Sequence, residues 1–228
     1  MMMAGTLYIV ATPIGNLEDM SARGIRILRT VDYIAAEDTR RTRKLLSALD
    51  IHTPLTSYHG HNELEKGEAL LQTLVGGKSI ALVSDAGTPG ISDPGTRLVE
   101  EARGRGVAVV PIPGPSAIVT ALSAAGVPTT RFTFVGFLPG KRSRRRVLLT
   151  QLAALHHTVV LYVAPWDVAK YLPEMEEVFG DRDVVLCREL TKVHEEFRRS
   201  TMRALRVWAT REKVRGEITL IIVGEDAG

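Results

Sequence analysis

Residues 84–95 combine acidic side chains with repeated glycine in a pattern that suits ligand binding. They follow the apolar run at 79–83, which predicts a buried strand. Glycine lets the backbone turn sharply and come close to a ligand, and Asp85 places a hydrogen-bond acceptor where the strand ends. The pattern therefore predicts a ligand-binding loop, and the alternative is a turn-rich connection that binds nothing. Asp93 and Pro94 are types preferred at the cap and first position of a helix, so we expect a helix to begin there.

Polar groups also follow other predicted strands. After the first strand, residues 11–19 form a loop with few bulky side chains, which we expect to line the same cleft as the glycine-rich loop. Glu37, Asp38 and Arg40 follow the second strand. Asp38 fits a helix cap as well as a site residue, and the sequence leaves both interpretations open. Residues 188–196 gather acids, a lysine and a histidine at a later strand end, where the alternative is the start of a surface helix.

The densest positive charge lies in one short run, whose basic members are Lys141, Arg142, Arg144, Arg145 and Arg146. Such a run most often forms the solvated face of a helix. The alternative is a patch that contacts the phosphate groups of a nucleic acid. The formal net charge is only +3 at pH 7, so where the charge lies says more about partners than the total does.

The chain has 228 residues, of which 45% are hydrophobic, enough for one large or two small domains. No apolar run reaches the length of a membrane span, and the Met-rich start lacks the features of a signal peptide, so a cytoplasmic protein is expected. The single cysteine, Cys187, is expected to be a buried, inert thiol. For His59 and His61 a polar loop or a substrate contact is favoured over a metal site, because further ligands are missing, and no metal is predicted.

Apolar runs alternate with segments of helical periodicity, which predicts an α/β fold with a mostly parallel sheet. In the first half, strands are expected at 7–11, 33–36, 80–83 and 107–110, and helices at 22–28, 39–49, 63–74, 96–103 and 116–125. In the second half, strands are expected at 132–135, 158–163, 184–187 and 217–223, with a further one at 195–200, and a helix at 143–155. Pro173 predicts two short helices or a kink in the helical stretch around it.

Gly126, Val127 and Pro128 mark a break between the halves. We therefore predict two α/β domains, 1–126 with the glycine-rich loop and 132–228, joined by a linker at 127–131. Loops of both domains are expected to face a shared cleft, where ligands commonly bind. No G-x-G-x-x-G motif opens a helix after the first strand and no G-x-x-x-x-G-K-[ST] motif occurs, which disfavours a dinucleotide or P-loop site.

Taken together, several segments resemble the ribosomal RNA small subunit methyltransferase I family, which has the tetrapyrrole methylase fold of S-adenosylmethionine-dependent enzymes. The resemblance runs over nearly the whole chain, and the segments that carry it are 7–17, 36–40, 61–63, 84–95, 136–139 and 189–192. The long loop at 84–95 is specific to the family, whereas no single short segment is.

The resemblance implies 2'-O-methylation of a cytidine in the decoding region of 16S ribosomal RNA in the small ribosomal subunit. It implies S-adenosyl-L-methionine held between the two domains, a homodimer, and a methyl transfer that needs no metal. Carried over to this chain, the cofactor contacts are Pro13, Ser84, Asp85, Ala86, Thr88, Ile91, Ser116, Ala117, Tyr162, Val163 and Leu190. The basic run at 141–146 then becomes a candidate RNA-binding surface.

The implied reaction sets requirements for the catalytic residues. A ribose hydroxyl is a poor nucleophile until it is positioned and at least partly relieved of its proton. A carboxylate or a lysine with a lowered pKa can accept that proton, so Glu37, Asp38 and Lys192 are candidate catalytic residues. Arg40 and Glu189 are expected to orient them. Spacing alone does not choose among these residues.

The chain departs from the family pattern in the second half. Residues 162–167 are Tyr-Val-Ala-Pro-Trp-Asp where the family usually has Tyr-Glu-x-Pro-His-Arg, and 198–200 are Arg-Arg-Ser where it usually has an Arg-Gly pair. The sequence stops at Gly228, where many members continue into a small helical extension, so a different arrangement of substrate contacts is expected. Two alternatives stay open. One is a methylase of a small tetrapyrrole or another non-RNA acceptor, which the basic run disfavours; the other is a non-catalytic ribosome assembly factor that retains the cofactor pocket.

Overall fold

A computed structural model of the chain describes residues 4–225. The Met-rich start and the end at Gly228, on which the sequence carries expectations, lie outside the described residues. The chain divides into two units, of which the first ends at Ser116 and the second begins at Ala117.

The first unit is a parallel sheet with helices on both faces. Its strands are β1 (Thr6–Val10), β2 (Tyr33–Ala36), β3 (Leu55–Ser57), β4 (Ile80–Val83) and β5 (Ala108–Ile112), in the order β3-β2-β4-β1-β5. Its helices are α1 (Ala22–Thr30), α2 (Thr39–Ala48), α3 (Glu63–Val75) and α4 (Thr96–Gly104), and a short 3-10 helix spans Leu17–Asp19. All four strand pairs are parallel, so the carboxyl ends of the five strands lie at one edge of the sheet.

The central strand β4 shows why this sheet forms. All its residues are buried, because neighbouring strands flank it on both sides and helices cover both faces. Alternate side chains enter different cores: Ile80 and Leu82 pack with residues of α3 and α4, whereas Ala81 and Val83 pack with residues of α1 and α2. This strand therefore holds the loop that follows it in a fixed position.

The second unit contains a mixed sheet. Its strands are β6 (Phe132–Phe137), β7 (Thr158–Val163), β8 (Asp183–Arg188), β9 (Glu196–Thr201) and β10 (Ile218–Ile222), in the order β6-β7-β10-β8-β9. Its helices are α5 (Ala117–Ala124), α6 (Arg142–Ala153), α7 (Pro165–Phe179) and α8 (Met202–Arg211). Only β6 and β7 are parallel; the other pairs are antiparallel. The predicted mostly parallel sheet thus describes the first unit and not the second.

The division between the units differs in place from the predicted domains 1–126 and 132–228. Helix α5 belongs to the second unit, where it packs against β10. The Gly126–Pro128 break instead lies inside the second unit, between α5 and β6.

Three local predictions were wrong or incomplete. Pro173 does not divide its segment into two short helices, since α7 continues through it, and the buried side chains of Leu172 and Met175 on either side offset the lost backbone hydrogen bond. The alternative, a kink at Pro173, stays a prediction. The strand β3 and the helix α8 were not predicted. β3 has only three residues and lies at the sheet edge, so it carries no long apolar run.

Cys187 is buried as predicted, and burial raises the pKa of its thiol to about 12.

Candidate active site

Two loops are joined at the carboxyl edge of the first sheet. The backbone N–H of Thr12 donates to the carbonyl of Gly87 at 2.9 Å, and that of Gly87 donates back to Thr12 at 3.0 Å. The Thr12 hydroxyl also donates to the carbonyl of Ser84 at 3.1 Å, and the Ser84 hydroxyl donates to the carbonyl of Gly87 at 3.0 Å. The loops after β1 and β4 are therefore held side by side, and that they line one cleft stays a prediction.

Glycine is required in the loop after β4. Gly87 and Gly90 have φ of 85° and 80°, and Gly95 has φ of 137°, a conformation that side chains rarely adopt. A Cβ on Gly95 would lie 2.7 Å from Cδ2 of Leu82, which is buried in the core. Non-glycine Ser92 also has a positive φ, 59°. Such conformations concentrate at functional sites.

Asp85 connects this loop to the end of β2. Its Oδ1 accepts a hydrogen bond from the backbone N–H of Asp38 at 3.0 Å, and its Oδ2 lies 3.5 Å from Nη1 of Arg41. The carboxylate is thus oriented by groups of another strand end, although it stays partly exposed.

Asp93 does not cap a helix, contrary to the sequence prediction. Helix α4 begins at Thr96 and its cap position is Gly95, which offers no side chain. Burial, with the nearby carboxylates of Glu37 and Asp85, raises the pKa of Asp93 to about 6, against a hydrogen bond from Ser84 that lowers it. Asp93 therefore lies within the electrostatic influence of the strand-end carboxylates and does not cap the helix.

Glu37 has the properties of a proton acceptor. Its pKa is raised, first by partial burial and then by the charge of Asp85, while His59 and Arg41 act in the opposite direction. A carboxylate with a raised pKa lies closer to neutrality and accepts a proton more readily. After burial, the charges of Glu37 and Asp85 raise the pKa of Asp93, and the charge of Asp85 raises that of Glu37, so the three carboxyl groups belong to one electrostatic cluster.

Asp38 and Arg40 stabilise the start of helix α2. Asp38 is the cap of α2: its Oδ1 accepts from the Arg40 N–H at 2.8 Å, and its Oδ2 lies 2.8 Å from Nη2 of Arg40. These hydrogen bonds lower the pKa of Asp38 far below its ordinary value. A carboxylate so stabilised is a poor base, which disfavours the predicted role of Asp38 as proton acceptor.

The remaining candidates of the first unit lie along the same edge. The hydroxyl of Thr88 donates a hydrogen bond to the carbonyl of Pro115 at 3.3 Å. This contact joins the loop after β5 to the loop after β4. Ala86 and Ile91 are exposed, and Pro13 and Ser116 are partly buried. The other predicted contacts, Ala117, Tyr162, Val163 and Leu190, belong to the second unit.

The second unit collects the other candidates at one edge of its own sheet. Ile218 pairs with Val163 on one side and with Arg188 on the other, and Phe137 pairs with Tyr162. The carboxyl ends of β6, β7 and β8 therefore lie together. Val163 and Leu190 are buried, so neither side chain is exposed at this edge. The Tyr162 ring packs against Phe134 and Phe137, with centroid distances of 4.9 and 5.5 Å.

Lys192 is held between two carboxylates at this edge. Its Nζ lies 2.9 Å from Oε1 of Glu189 and 2.9 Å from Oε2 of Glu217. Partial burial works against the charge, but the hydrogen bonds that Lys192 donates to both glutamates prevail, and the pKa of Lys192 is raised. The expectation of a lysine with a lowered pKa is therefore wrong for this conformation. A Cβ on Gly216 would lie 2.6 Å from the Glu189 side chain, so glycine there makes room for this pair.

The predicted RNA-binding run contains one structural residue. Arg145 is only 3% exposed, and its Nε donates to Oε2 of Glu174 at 2.8 Å. Its Nη1 donates to the carbonyls of Pro139 and Gly140, and its guanidinium lies over the Tyr171 ring. Arg145 is therefore not available to a phosphate, and its inclusion in the RNA-binding set is corrected.

The other basic members of the run are exposed. Arg146 is exposed but forms a bidentate ion pair with Glu177, at 2.6 and 2.9 Å. Lys141, Arg142 and Arg144 are also exposed, at the start of α6. These last three are the members best placed to bind phosphate.

The sequence analysis missed the roles of Asp93 and Glu217. The Asp-Pro pair favoured a helix cap for Asp93, and only the density of acids and glycines in its loop pointed elsewhere. Glu217 was placed in a strand, and nothing in its neighbourhood predicted the contact with Lys192.

The predicted histidine pair lies in a turn before α3. The Nε2 of His59 is 3.3 Å from the side-chain amide of Asn62, and the His59 and His61 ring centroids are 6.1 Å apart. Within residues 4–225, no group of three or more histidine, cysteine or acidic side chains has a metal-binding arrangement. None of the helices in the same range is long and apolar enough to span a membrane.

Known proteins share this chain's sequence over nearly its full length. A family model described as Tetrapyrrole (Corrin/Porphyrin) Methylases matches residues 6–206. The chain is 50% identical over 220 residues to Ribosomal RNA small subunit methyltransferase I of Halalkalibacterium halodurans, covering 96% of this chain and 76% of that protein. Proteins of the same name from Bacillus subtilis and Escherichia coli O157:H7 are 46% and 47% identical, covering 97% and 98% of this chain and 76% and 79% of theirs.

Solved structures share the fold at low identity. A cobalt precorrin-4 methyltransferase of cobalamin biosynthesis matches with a TM-score of 0.72 and 19% identity, over 96% of this chain and 94% of that one. A uroporphyrin III C-methyltransferase from Thermus thermophilus matches with a TM-score of 0.68 and 15% identity, over 96% and 97%. These findings confirm the α/β fold class that the sequence predicted. The chain belongs to the tetrapyrrole methylase family and, within it, to the ribosomal RNA small subunit methyltransferase I family.

Proposed function

We propose that this protein transfers a methyl group from S-adenosyl-L-methionine to the RNA of the small ribosomal subunit, at the 2'-hydroxyl of a cytidine. The observation that carries the proposal is the identity of 46% or more to ribosomal RNA small subunit methyltransferases I over 96% or more of the chain. The cytidine and the 2'-oxygen follow from the family resemblance of the sequence motifs.

The edge of the first sheet has the properties that this cofactor needs. S-adenosyl-L-methionine is a sulfonium cation that also carries an ammonium group, and it supplies an electrophilic methyl group. The carboxylates of Asp85, Glu37 and Asp93 give the edge a negative potential suited to such a cation. The loop presents little side-chain bulk beside Asp85, because the exposed residue that follows it, Ala86, is small and Gly87 and Gly90 have no side chain.

We assign the proton-accepting role to Glu37. A ribose hydroxyl must lose its proton as its oxygen attacks the methyl carbon, and Glu37 is a partly buried carboxylate with a raised pKa. The charge of Asp85 adds to the effect of burial on Glu37, and Asp38 and Arg40 hold the start of α2. Glu189 and Lys192 are positioning residues in this proposal, because each already pairs with the other.

RNA phosphates are assigned to Lys141, Arg142 and Arg144. These side chains are exposed and follow the carboxyl end of β6. The start of a helix adds a positive dipole there. Each phosphate contact releases counterions, so RNA affinity should fall steeply with salt. The homodimer stays a prediction from the resemblance, and the cytoplasmic location stays a prediction from the sequence.

Two measurements test the proposal. In titration calorimetry, Asp85→Ala should lose most of its affinity for S-adenosyl-L-methionine, whereas Asp19→Ala, in the exposed 3-10 helix, should bind like the parent. In a transfer assay with labelled cofactor, small ribosomal subunits should accept label and a tetrapyrrole should not. Label on the tetrapyrrole alone would show that the protein methylates a small tetrapyrrole instead of RNA. Cofactor binding without transfer to any acceptor would favour the non-catalytic assembly factor.

A further inference from the structure

Two aromatic side chains that the proposed reaction does not use lie at one end of the second sheet. Phe137 is the last residue of β6, and Trp166 lies in the first turn of α7, directly after β7. The strands β6 and β7 are parallel neighbours, with Phe137 opposite Tyr162. Both aromatic residues therefore follow the carboxyl ends of paired strands, on the same edge as Glu189 and Lys192.

Both side chains are unusually exposed. The exposed fraction is 62% for Phe137 and 78% for Trp166. Large aromatic side chains usually bury most of their surface, so two exposed ones on one edge indicate a binding surface. Phe132, at the opposite end of β6, is 42% exposed and offers a comparison within the same strand.

The backbone of β6 directs Phe137 outward. The register with β7 shifts between Phe134 and Gly136, and Gly136 has φ of 71°. A bulge of this kind changes the direction of the side chains that follow it. The Phe137 ring then rests against Tyr162 at 5.5 Å between centroids. The ring is thereby supported on one side while most of its surface stays accessible.

Positive charge close to Phe137 in sequence favours a partner that carries negative charge. Lys141, Arg142 and Arg144 follow Phe137 closely in sequence and are exposed. The nearest acid to Trp166 in sequence, Asp167, is 3.5 Å from the ammonium of Lys170, which offsets its charge. Aromatic faces beside a group of cations match unpaired nucleotides, whose bases stack while their phosphates pair with the cations. A duplex offers no free base face to such a surface.

We propose that Phe137 and Trp166 stack on unpaired bases of the RNA substrate, beside the phosphate contacts of α6. The inference rests on the proposed function, because it requires an RNA substrate. It adds a requirement that the proposed function does not contain: the RNA must be single-stranded where it meets this edge.

Binding of a fluorescein-labelled oligocytidylate of about 12 nucleotides to the full chain tests the inference. Phe137→Ala and Trp166→Ala should each weaken binding by about tenfold, since one stacked base is lost. Their salt dependence should match that of the parent, because no phosphate contact is removed, whereas Arg144→Ala should reduce the slope by about one. Phe132→Ala, the matched control at the other end of β6, should bind like the parent. An RNA duplex of equal length should bind the parent and both aromatic variants alike.

Tryptophan fluorescence gives a direct second readout. Trp208 packs against the core of the second unit under the guanidinium of Arg198, at 4.6 Å, so Trp208→Phe leaves Trp166 as the reporter. Single-stranded RNA should quench this fluorescence, since a stacked base contacts the indole.

Each failure has a distinct signature. If the parent transfers methyl groups but both aromatic variants bind single-stranded RNA as tightly as the parent does, this inference is overturned and the proposed function stands. A change of oligomeric state in Trp166→Ala by light scattering would also overturn it, because the surface would then join two copies of the chain. Absence of RNA binding and methyl transfer in the parent would overturn both.

Discussion

Neutralising Asp93 should stabilise the protein in a manner that depends on pH. The pKa of Asp93 is about 6, whereas its ordinary value is 3.8. The folded protein therefore keeps this proton at pH values where the unfolded chain has lost it. It follows that the contribution of Asp93 to stability is fully present below about pH 4, is lost as the pH rises through about 6, and stays absent above that.

The magnitude follows from the difference in pKa. About two pH units at about 1.4 kcal/mol each give about 3 kcal/mol as an upper value. Because the carboxylate is partly exposed, solvent screening reduces this, and we expect about 1–2 kcal/mol. Asp93→Asn keeps the shape of the side chain and removes the charge.

Urea unfolding of the cofactor-free protein at several pH values measures the effect. The difference in free energy of unfolding between Asp93→Asn and the parent should be smallest at pH 4, rise between pH 4 and 6, and stay constant at pH 7 and 8. Asp19→Asn, which changes an exposed carboxylate, should give a difference that does not follow this curve. A difference for Asp93→Asn that is the same at pH 4 and pH 8 would refute the raised pKa of Asp93, which we attribute first to burial and then to the charges of Glu37 and Asp85.

Three further variants test the remaining structural assignments. Arg145→Met should lower the free energy of unfolding, measured with a chemical denaturant, by about 3–5 kcal/mol, because it leaves Glu174 buried without its partner. Arg146→Met, which removes an exposed ion pair, should change it little. Equal effects of the two variants would contradict the buried ion pair. Gly95→Ala should lower the free energy of unfolding by about 1–3 kcal/mol, because of its positive φ and the contact with Leu82. Gly104→Ala, where a Cβ meets nothing within 4 Å, is the control in the same assay. A Gly95→Ala variant as stable as the parent would mean that the loop can relax. Lys192→Met should leave the shape of the pH profile of single-turnover methylation unchanged, and loss of a limb of that profile would show that Lys192 is the base after all.

Strand ends and the glycine-rich loop could be predicted because local rules decide them. The continuous apolar run of β4 and the glycine and acidic residues after it leave few alternatives. Strands β2, β4 and β7 have the predicted bounds, since turn residues or charges close each of them. The antiparallel pairing of the second sheet was not predictable in this way, because it depends on which distant strands meet.

The side-chain roles were harder to predict because they depend on tertiary contacts. Arg145 belongs to a run that looks uniformly solvated, and only the packing of α6 on α7 buries it beside Glu174. Lys192 was expected to have a lowered pKa, but its hydrogen bonds to Glu189 and to Glu217, which comes from a separate segment of the chain, raise it instead. Asp93 followed the local rule for a helix cap in sequence and broke it in the structure, which is typical of functional loops.

The most direct test of the proposed function is to map methyl groups on small-subunit RNA after reaction with the purified protein. Small subunits from cells that lack this gene, incubated with S-adenosyl-L-methionine, should gain a 2'-O-methyl group on a cytidine of 16S ribosomal RNA, as read by mass spectrometry of RNA fragments. Glu37→Gln should bind the cofactor somewhat more weakly, because one carboxylate of the edge is lost. At saturating cofactor it should form this product at least about a hundredfold more slowly, because the proton acceptor is gone. A methyl group on a base, or no new methyl group on the RNA, would contradict the proposed function, and a normal rate for Glu37→Gln would contradict its assigned role.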